Sequence, residues 1–308
     1  MKNAIIGFAF NYSNEQIAPF LNSLNRTGFT GDLVLYINNK STIEQKASYK
    51  YNCILLNFEE ENKQLIFKHK ILKWILLPFS KFIRKSKLIV AKQVIEQPNS
   101  FSQDMLSWFY VNYYLATMRF VLYYNLLVSN KYANVFFSDV SDVIFQADIF
   151  NAVIPSKIIA FEEKKTVTLG QDKYNSHWVI ETTGQEALNK ISSKNIYCSG
   201  TILADYDTAI TFLKDYVGLM LSRGFKRSIV GLDQGFYNYM VSFEQKEYFQ
   251  KSENGEVIFT VALNTPEEFL VKDDKLFYTE KAEKFPLIVH QYTRHPEIAA
   301  YLKQLYSN

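Results

Sequence analysis

The sequence predicts an α/β protein: a mostly parallel sheet flanked by helices, one domain over residues 1–308 with a basic helical insertion at 62–98. Three observations point there. An apolar run at residues 4–10 leads through a polar turn into a helix-periodic segment, and further apolar runs follow at 33–37 and 53–58. A strand, helix, strand order needs a crossover connection, and hence a parallel sheet. Finally, 308 residues with 48% hydrophobic and 16% aromatic content can bury a large core, which excludes a disordered chain.

The opening elements follow from local chemistry. Asn11, Tyr12, Ser13 and Asn14 supply a turn and a helix N-cap, after which Ile17, Phe20, Leu21 and Leu24 recur at helical spacing. Gly31 and Asp32 turn the chain into its second strand. Neither a GxGxxG nor a Walker sequence follows the first strand, so neither a dinucleotide fold nor a P-loop is supported.

Charge is distributed unevenly. The net charge is +3, yet residues 62–95 hold nine of the 34 Lys/Arg and none of the 31 Asp/Glu, so the rest of the chain is net acidic. Leu65, Ile66, Ile71, Leu72, Ile75, Leu76 and Phe79 recur between these lysines, and Pro78 is placed to bend or break the helix. A basic amphipathic hairpin of this kind either lies on an anionic membrane surface or packs its apolar face on the body. No nucleic-acid-binding motif accompanies it, so nucleic acid is not an expected partner. No apolar segment reaches the roughly 18 residues of a spanning helix, and the N-terminus lacks a small-residue cleavage site. Cys53 and Cys198 form no metal or disulfide pattern. The expected setting is the cytoplasm, with peripheral contact at the inner membrane face through 62–95.

Residues 105–130 read as one long aromatic helix whose single formal charge is Arg119. An unpaired charge in such company is costly, so Arg119 must meet a carboxylate or a ligand phosphate. The helix leads into residues 135–150, VFFSDVSDVIFQADIF, a buried strand with Asp139 and Asp142 at its exit. In open α/β sheets such strand ends face the ligand crevice. Mg²⁺ or Mn²⁺ commonly combines one or two carboxylates there with substrate phosphates. A turn or capping role is the alternative for both aspartates.

The remaining segments continue the pattern. A strand at 157–161 ends in Glu162 and Glu163, and Trp178 stands in a polar neighbourhood, where an indole serves packing or stacks on a sugar ring. Residues 195–204 read as a strand interrupted at Ser199 and Gly200, a glycine that marks close approach of a ligand or backbone. A helix at 208–222 is ended by Gly224. Asp233 and Gln234 follow a short apolar run, with Asn238 about one turn later; Asp233 also suits an N-cap. A hairpin at Gly255, a strand at 257–263, a short one at 276–278, an apolar strand ending in His290, and a helix at 297–306 complete the chain.

The segment SDVSDVIFQADIF resembles the acidic signature of GT-A-fold glycosyltransferases, and Cys198-Ser199-Gly200 resembles their donor-lining strand. Asp233-Gln234 is similar to their DQ segment, and HQYTRHPE resembles a closing segment of bacterial members. In this order the set resembles the DxD-type enzymes of lipopolysaccharide and capsule assembly. The spacing here is DxxD, and Cys198 stands where relatives often carry Asn. The resemblance implies metal-dependent sugar transfer from a nucleotide-diphosphate sugar, a UDP-sugar favoured, to a glycan or lipid-linked acceptor in surface polysaccharide or glycoconjugate biosynthesis. It further implies that Asp139, Asp142 and His290 hold Mn²⁺ or Mg²⁺, and that Phe10, Asn11, Arg119 and Arg294 line the nucleotide diphosphate. Trp178, Ser199, Gly200 and Gln234 would line donor or acceptor sugar, with Asp233 as catalytic carboxylate. A nucleotidyltransferase is a less favoured alternative, because its Gly/Arg/Lys-rich loop is absent after the first strand. A degenerate sugar- or nucleotide-binding protein is the other, kept in view by the DxxD spacing and Cys198.

Overall fold

The computed structural model describes residues 1–75, 80–96, 100–223, 230–244 and 246–306. The opening is as the periodicity predicts: β1 (Ala4–Phe8), α1 (Asn14–Thr27), β2 (Asp32–Ile37) and β3 (Asn52–Asn57). Ser13 caps α1 reciprocally with Gln16, and Gly28 ends it at φ 81°, a left-handed cap that favours glycine. Then come α2 (Phe58–Glu61), α3 (Lys63–Ile75), α4 (Ser80–Glu96), α5 (Gln103–Asn112), α6 (Leu115–Ser129), β4 (Asn134–Ser138) and β5 (Val143–Phe145). The middle of the chain forms α7 (Ile149–Ala152), β6 (Ile158–Glu162), α8 (Lys173–Thr183), α9 (Gln185–Ile191), β7 (Tyr197–Asp205), α10 (Tyr206–Arg223) and α11 (Leu232–Tyr239). The last stretch is β8 (Phe249–Ser252), β9 (Ile258–Thr260), β10 (Phe269–Lys272), β11 (Lys275–Tyr278), β12 (Ile288–His290) and α12 (Pro296–Tyr306).

The central sheet has seven strands in the order β3-β2-β1-β4-β7-β6-β8. It is mostly parallel; β7 alone runs against its neighbours β4 and β6. Side chains alternate between two cores, as the period of two requires. Ile6, Val34, Val135 and Phe137 face a helical layer that includes α5, α6, α10 and α11, where Tyr123 stacks on Phe137 at 5.0 Å and Phe120 on Tyr216 at 4.2 Å. Ile5, Leu33, Leu35 and Phe136 face α1 together with β5, β9 and β12, which form a second, three-stranded sheet.

Three expectations are corrected. The helix expected over 105–130 is two, because Tyr113 and Tyr114 are extended and the Asn112 amide takes the Trp108 carbonyl at 2.8 Å. A side-chain bond of this kind competes with helix continuation. The strand carrying Ser199 and Gly200 is continuous; the irregularity lies in its pairing with β6, whose partner jumps from Ile202 to Tyr197 between Ala160 and Glu162. Gly255 turns the chain at φ 82°, but the flanking β8 and β9 belong to different sheets, so no hairpin forms. The bend expected at Pro78 and the helix end expected at Gly224 lie outside the described residues.

The basic segment forms α3 and α4, anchored by Asp104 of α5. Its carboxylate meets Lys68 at 3.0 Å, His69 at 3.1 Å and Lys87 at 2.8 Å. Partial burial acts to raise the Asp104 carboxyl, but the lysine bonds outweigh it and hold the group well below the usual carboxylate range. Its contribution to stability is therefore full above pH 3.8 and is lost as pH falls below that value.

Candidate active site

The site forms at the carboxyl edge of the parallel strands, where β1 and β4 lie side by side with Gly7 opposite Ser138. Asp139 follows β4 directly and bonds from its backbone N–H to Gly200 O of β7 at 2.7 Å. The chain then crosses to the second sheet, so that Asp142 precedes β5. There β12 pairs antiparallel with β5, setting His290 opposite Val143. Two strand pairings thus bring a distant histidine onto the aspartate pair.

Asp139, Asp142 and His290 offer ligand atoms within 4.8 Å of one another. His290 Nε2 lies 3.6 Å from Asp139 Oδ2 and 3.8 Å from Asp142 Oδ1. These separations exceed a hydrogen bond, whereas two ligands about 2.1 Å from one cation lie roughly 3.0–4.2 Å apart at 90–180°. Asp142 Oδ1 and His290 Nε2 are buried without a hydrogen-bond partner among the described residues. Such orphaned atoms imply an absent partner, and two carboxylates with an imidazole form a donor set that suits a divalent cation.

Electrostatics agree with the geometry. Burial raises the Asp142 carboxyl above its ordinary value. Burial also acts to raise Asp139, but the Arg119 guanidinium and His290 overcome this and hold it at about 2. Burial acts to lower His290, yet the Cys198 sulfur and the two carboxylates hold the imidazole well above its usual value. A cation here displaces that proton, so its binding weakens as pH falls.

Gly200 is needed for clearance. A Cβ at this position would collide with Asp139 Oδ2 and lie 3.2 Å from His290 Cε1. Gly200→Ala is expected to weaken Mn²⁺ binding by about 10- to 100-fold, the range seen when metal ligands lose their support, while the fold persists. Calorimetric titration checks this; unchanged affinity would contradict the placement.

Arg119, on α6, joins the Asp139–Asp142–His290 cluster to α11. It is buried and bonds through Nη1 to Asp139, and through Nη2 to Asp233 Oδ2 at 2.7 Å and Ser199 O at 3.1 Å. Of the two partners expected for it, the structure places the carboxylates there. Ser199 Oγ also donates to Asp233 Oδ2, at 3.3 Å. Gln234 lies beside them: Nε2 bonds to Glu163 and Asn175, each at 2.9 Å, and Oε1 accepts from Ser199 N at 3.4 Å. Glu163 and Asn175 belong to this group without a sequence motif that marks them. Burial raises the Glu163 carboxyl, and an acidic residue closing an apolar strand was the available signal.

The other candidates stand around this group. Asn11 has φ 64° and its backbone N–H donates to Asn38 Oδ1 and Ser41 Oγ, while Phe10 stacks on Phe8 at 4.0 Å; both lie in the turn after β1, at the edge that carries Asp139. Arg294 is exposed on the turn after β12, and its charge opposes the burial effect on Asp142. Trp178 is not part of the cluster: half-buried on α8, its indole fills the space a side chain at Gly231 would need, at the left-handed start of α11.

No protein-family model matches the chain, and no curated protein matches its sequence significantly. Among solved structures, it is similar to the galactosyltransferase LgtC in complex with donor and acceptor sugar analogues. The TM-score is 0.47 at 11% identity, over 99% of this chain and 96% of that one. An active-site mutant of LgtC gives 0.47 at 10% identity over 97% and 95%. The bifunctional glycosyltransferase WbbM gives 0.49 at 14% identity; the match covers 94% of this chain and 45% of WbbM.

Proposed function

We propose that this protein is a metal-dependent glycosyltransferase using a nucleotide-diphosphate sugar, with a UDP-sugar favoured. The observation that carries the reading is the convergence of Asp139, Asp142 and His290, two of them with orphaned buried ligand atoms, at the carboxyl edge of a parallel sheet. A Mn²⁺ or Mg²⁺ held by these three residues would supply Lewis-acid stabilisation for the departing nucleoside diphosphate.

This chain's own residues have complementary tasks. Arg119 fixes Asp139 and Asp233 relative to each other through one fork, for which a guanidinium is suited. We assign Asp233 the electrostatic role beside the reacting sugar, where a carboxylate stabilises oxocarbenium-like charge. Ser199 and Gln234 would orient the sugar, with Gln234 held by Glu163 and Asn175. Arg294 is our candidate cation for the diphosphate, with Phe10 and Asn11 beside the nucleotide. Trp178 is better assigned to supporting α11 than to stacking on sugar. The acceptor would be a glycan or lipid-linked saccharide of surface polysaccharide assembly on the cytoplasmic side.

The test is turnover of a UDP-, GDP- and CMP-sugar panel with Mn²⁺ or with EDTA. Release of nucleotide from one donor, in Mn²⁺ alone, is expected. No turnover together with no metal-dependent nucleotide binding would refute the enzyme and favour a degenerate binding protein.

A further inference from the structure

Helix α3 has two apolar faces. Ile66 and His69 turn inward and are buried, whereas Phe67, Ile71, Trp74 and Ile75, at i, i+4, i+7 and i+8, turn outward. Trp74 is 78% and Phe67 65% exposed. Helix α4 behaves likewise: Ala91 and Ile95 are buried, while Phe82, at 76% exposure, and Ile89 lie outward beside exposed Lys85 and Lys92. An inward stripe is enough to hold a helix on its domain, so the outward stripe calls for a partner of its own. Charge selects that partner. Residues 62–95 carry nine basic and no acidic side chains, which suits an anionic surface with an apolar interior.

We propose that the outward faces of α3 and α4 form a docking surface for an anionic lipid bilayer, with Trp74 and Phe82 entering the headgroup–acyl boundary. The helices lie on the membrane; among the described residues no helix is long and apolar enough to cross one. α3 leaves through α2 from the carboxyl edge of the sheet, the edge that carries Asp139, which suits a bilayer-anchored acceptor. That consequence for the acceptor rests on the glycosyl-transfer reading; docking itself does not, and it is measured without turnover.

The test is sedimentation of the whole protein with vesicles of phosphatidylcholine alone or mixed equally with phosphatidylglycerol. Binding to the mixed vesicles at least ~10-fold stronger, and weakened by salt, is expected. Trp74→Ser/Phe82→Ser and Lys85→Glu/Lys92→Glu should each reduce it by ~10-fold or more. The thermal midpoint and donor turnover in solution should stay unchanged, since these side chains are exposed and outside the site. Equal binding to both vesicle types would overturn the proposal. So would a dimer that Trp74→Ser/Phe82→Ser converts to monomer, or binding to a single-stranded RNA that matches vesicle binding.

Discussion

Arg119→Met is expected to destabilise the protein by about 3–5 kcal/mol, the range for breaking a buried ion pair from one side, and to abolish donor turnover. The substitution keeps an apolar stem of similar length but removes the cation that Asp139 and Asp233 share. Asp233 carries most of the effect, because its side chain is 8% exposed; Asp139 keeps about a third of its side chain open to water, which screens it. Arg119→Lys should recover part of the stability and little of the activity, since an ammonium offers a point charge where the site uses a fork. Denaturant unfolding in EDTA measures this without a metal contribution. A loss below about 1 kcal/mol would mean that the pair is not the buried link we describe.

Asp142→Asn should show the opposite sign in stability with the same loss of function. Among the described residues Asp142 Oδ1 is buried without a hydrogen-bond partner, and burial raises the group's pKa. A raised carboxyl means that the native state binds the proton more readily than the unfolded chain. Stability contributed by this group is therefore present at low pH and declines as pH rises above 3.8. The amide avoids that decline, so in EDTA at neutral pH the variant should be at least as stable as the parent. Saturating Mn²⁺ should then stabilise the parent by ~2.7 kcal/mol at a hundred times its Kd and leave the variant nearly unmoved. Nucleotide release should fall by about 10²- to 10³-fold, the scale for removing a main electrostatic group. A parent and a variant that respond equally to Mn²⁺ would remove Asp142 from the ligand set.

Some of this molecule was legible as a string of residues because the relevant physics is local. Apolar runs placed β1, β2 and β3 and helical spacing placed α1, and the lone charge of Arg119 among aromatics demanded a buried partner before any partner was visible. Asp139 and Asp142 stood out because carboxylates at the exit of an apolar strand face the ligand crevice of an open sheet, although a turn or capping role fits the same pattern. Other features depended on contacts between segments far apart in the chain. His290 joins the aspartates only because β12 pairs with β5, and Arg119 chooses Asp139 and Asp233 only once α6 is re-aimed by the break after Asn112. Glu163 and Asn175 acquire a task when α11 brings Gln234 to them, and the same packing sets the Trp178 indole against Gly231. The sequence by itself determined the sheet's opening, the acidic edge and the basic helices, since propensity, period and composition act over a few residues. Tertiary structure decided the partners, because a buried charge or donor is satisfied by whichever group the packed backbone brings within about 3 Å.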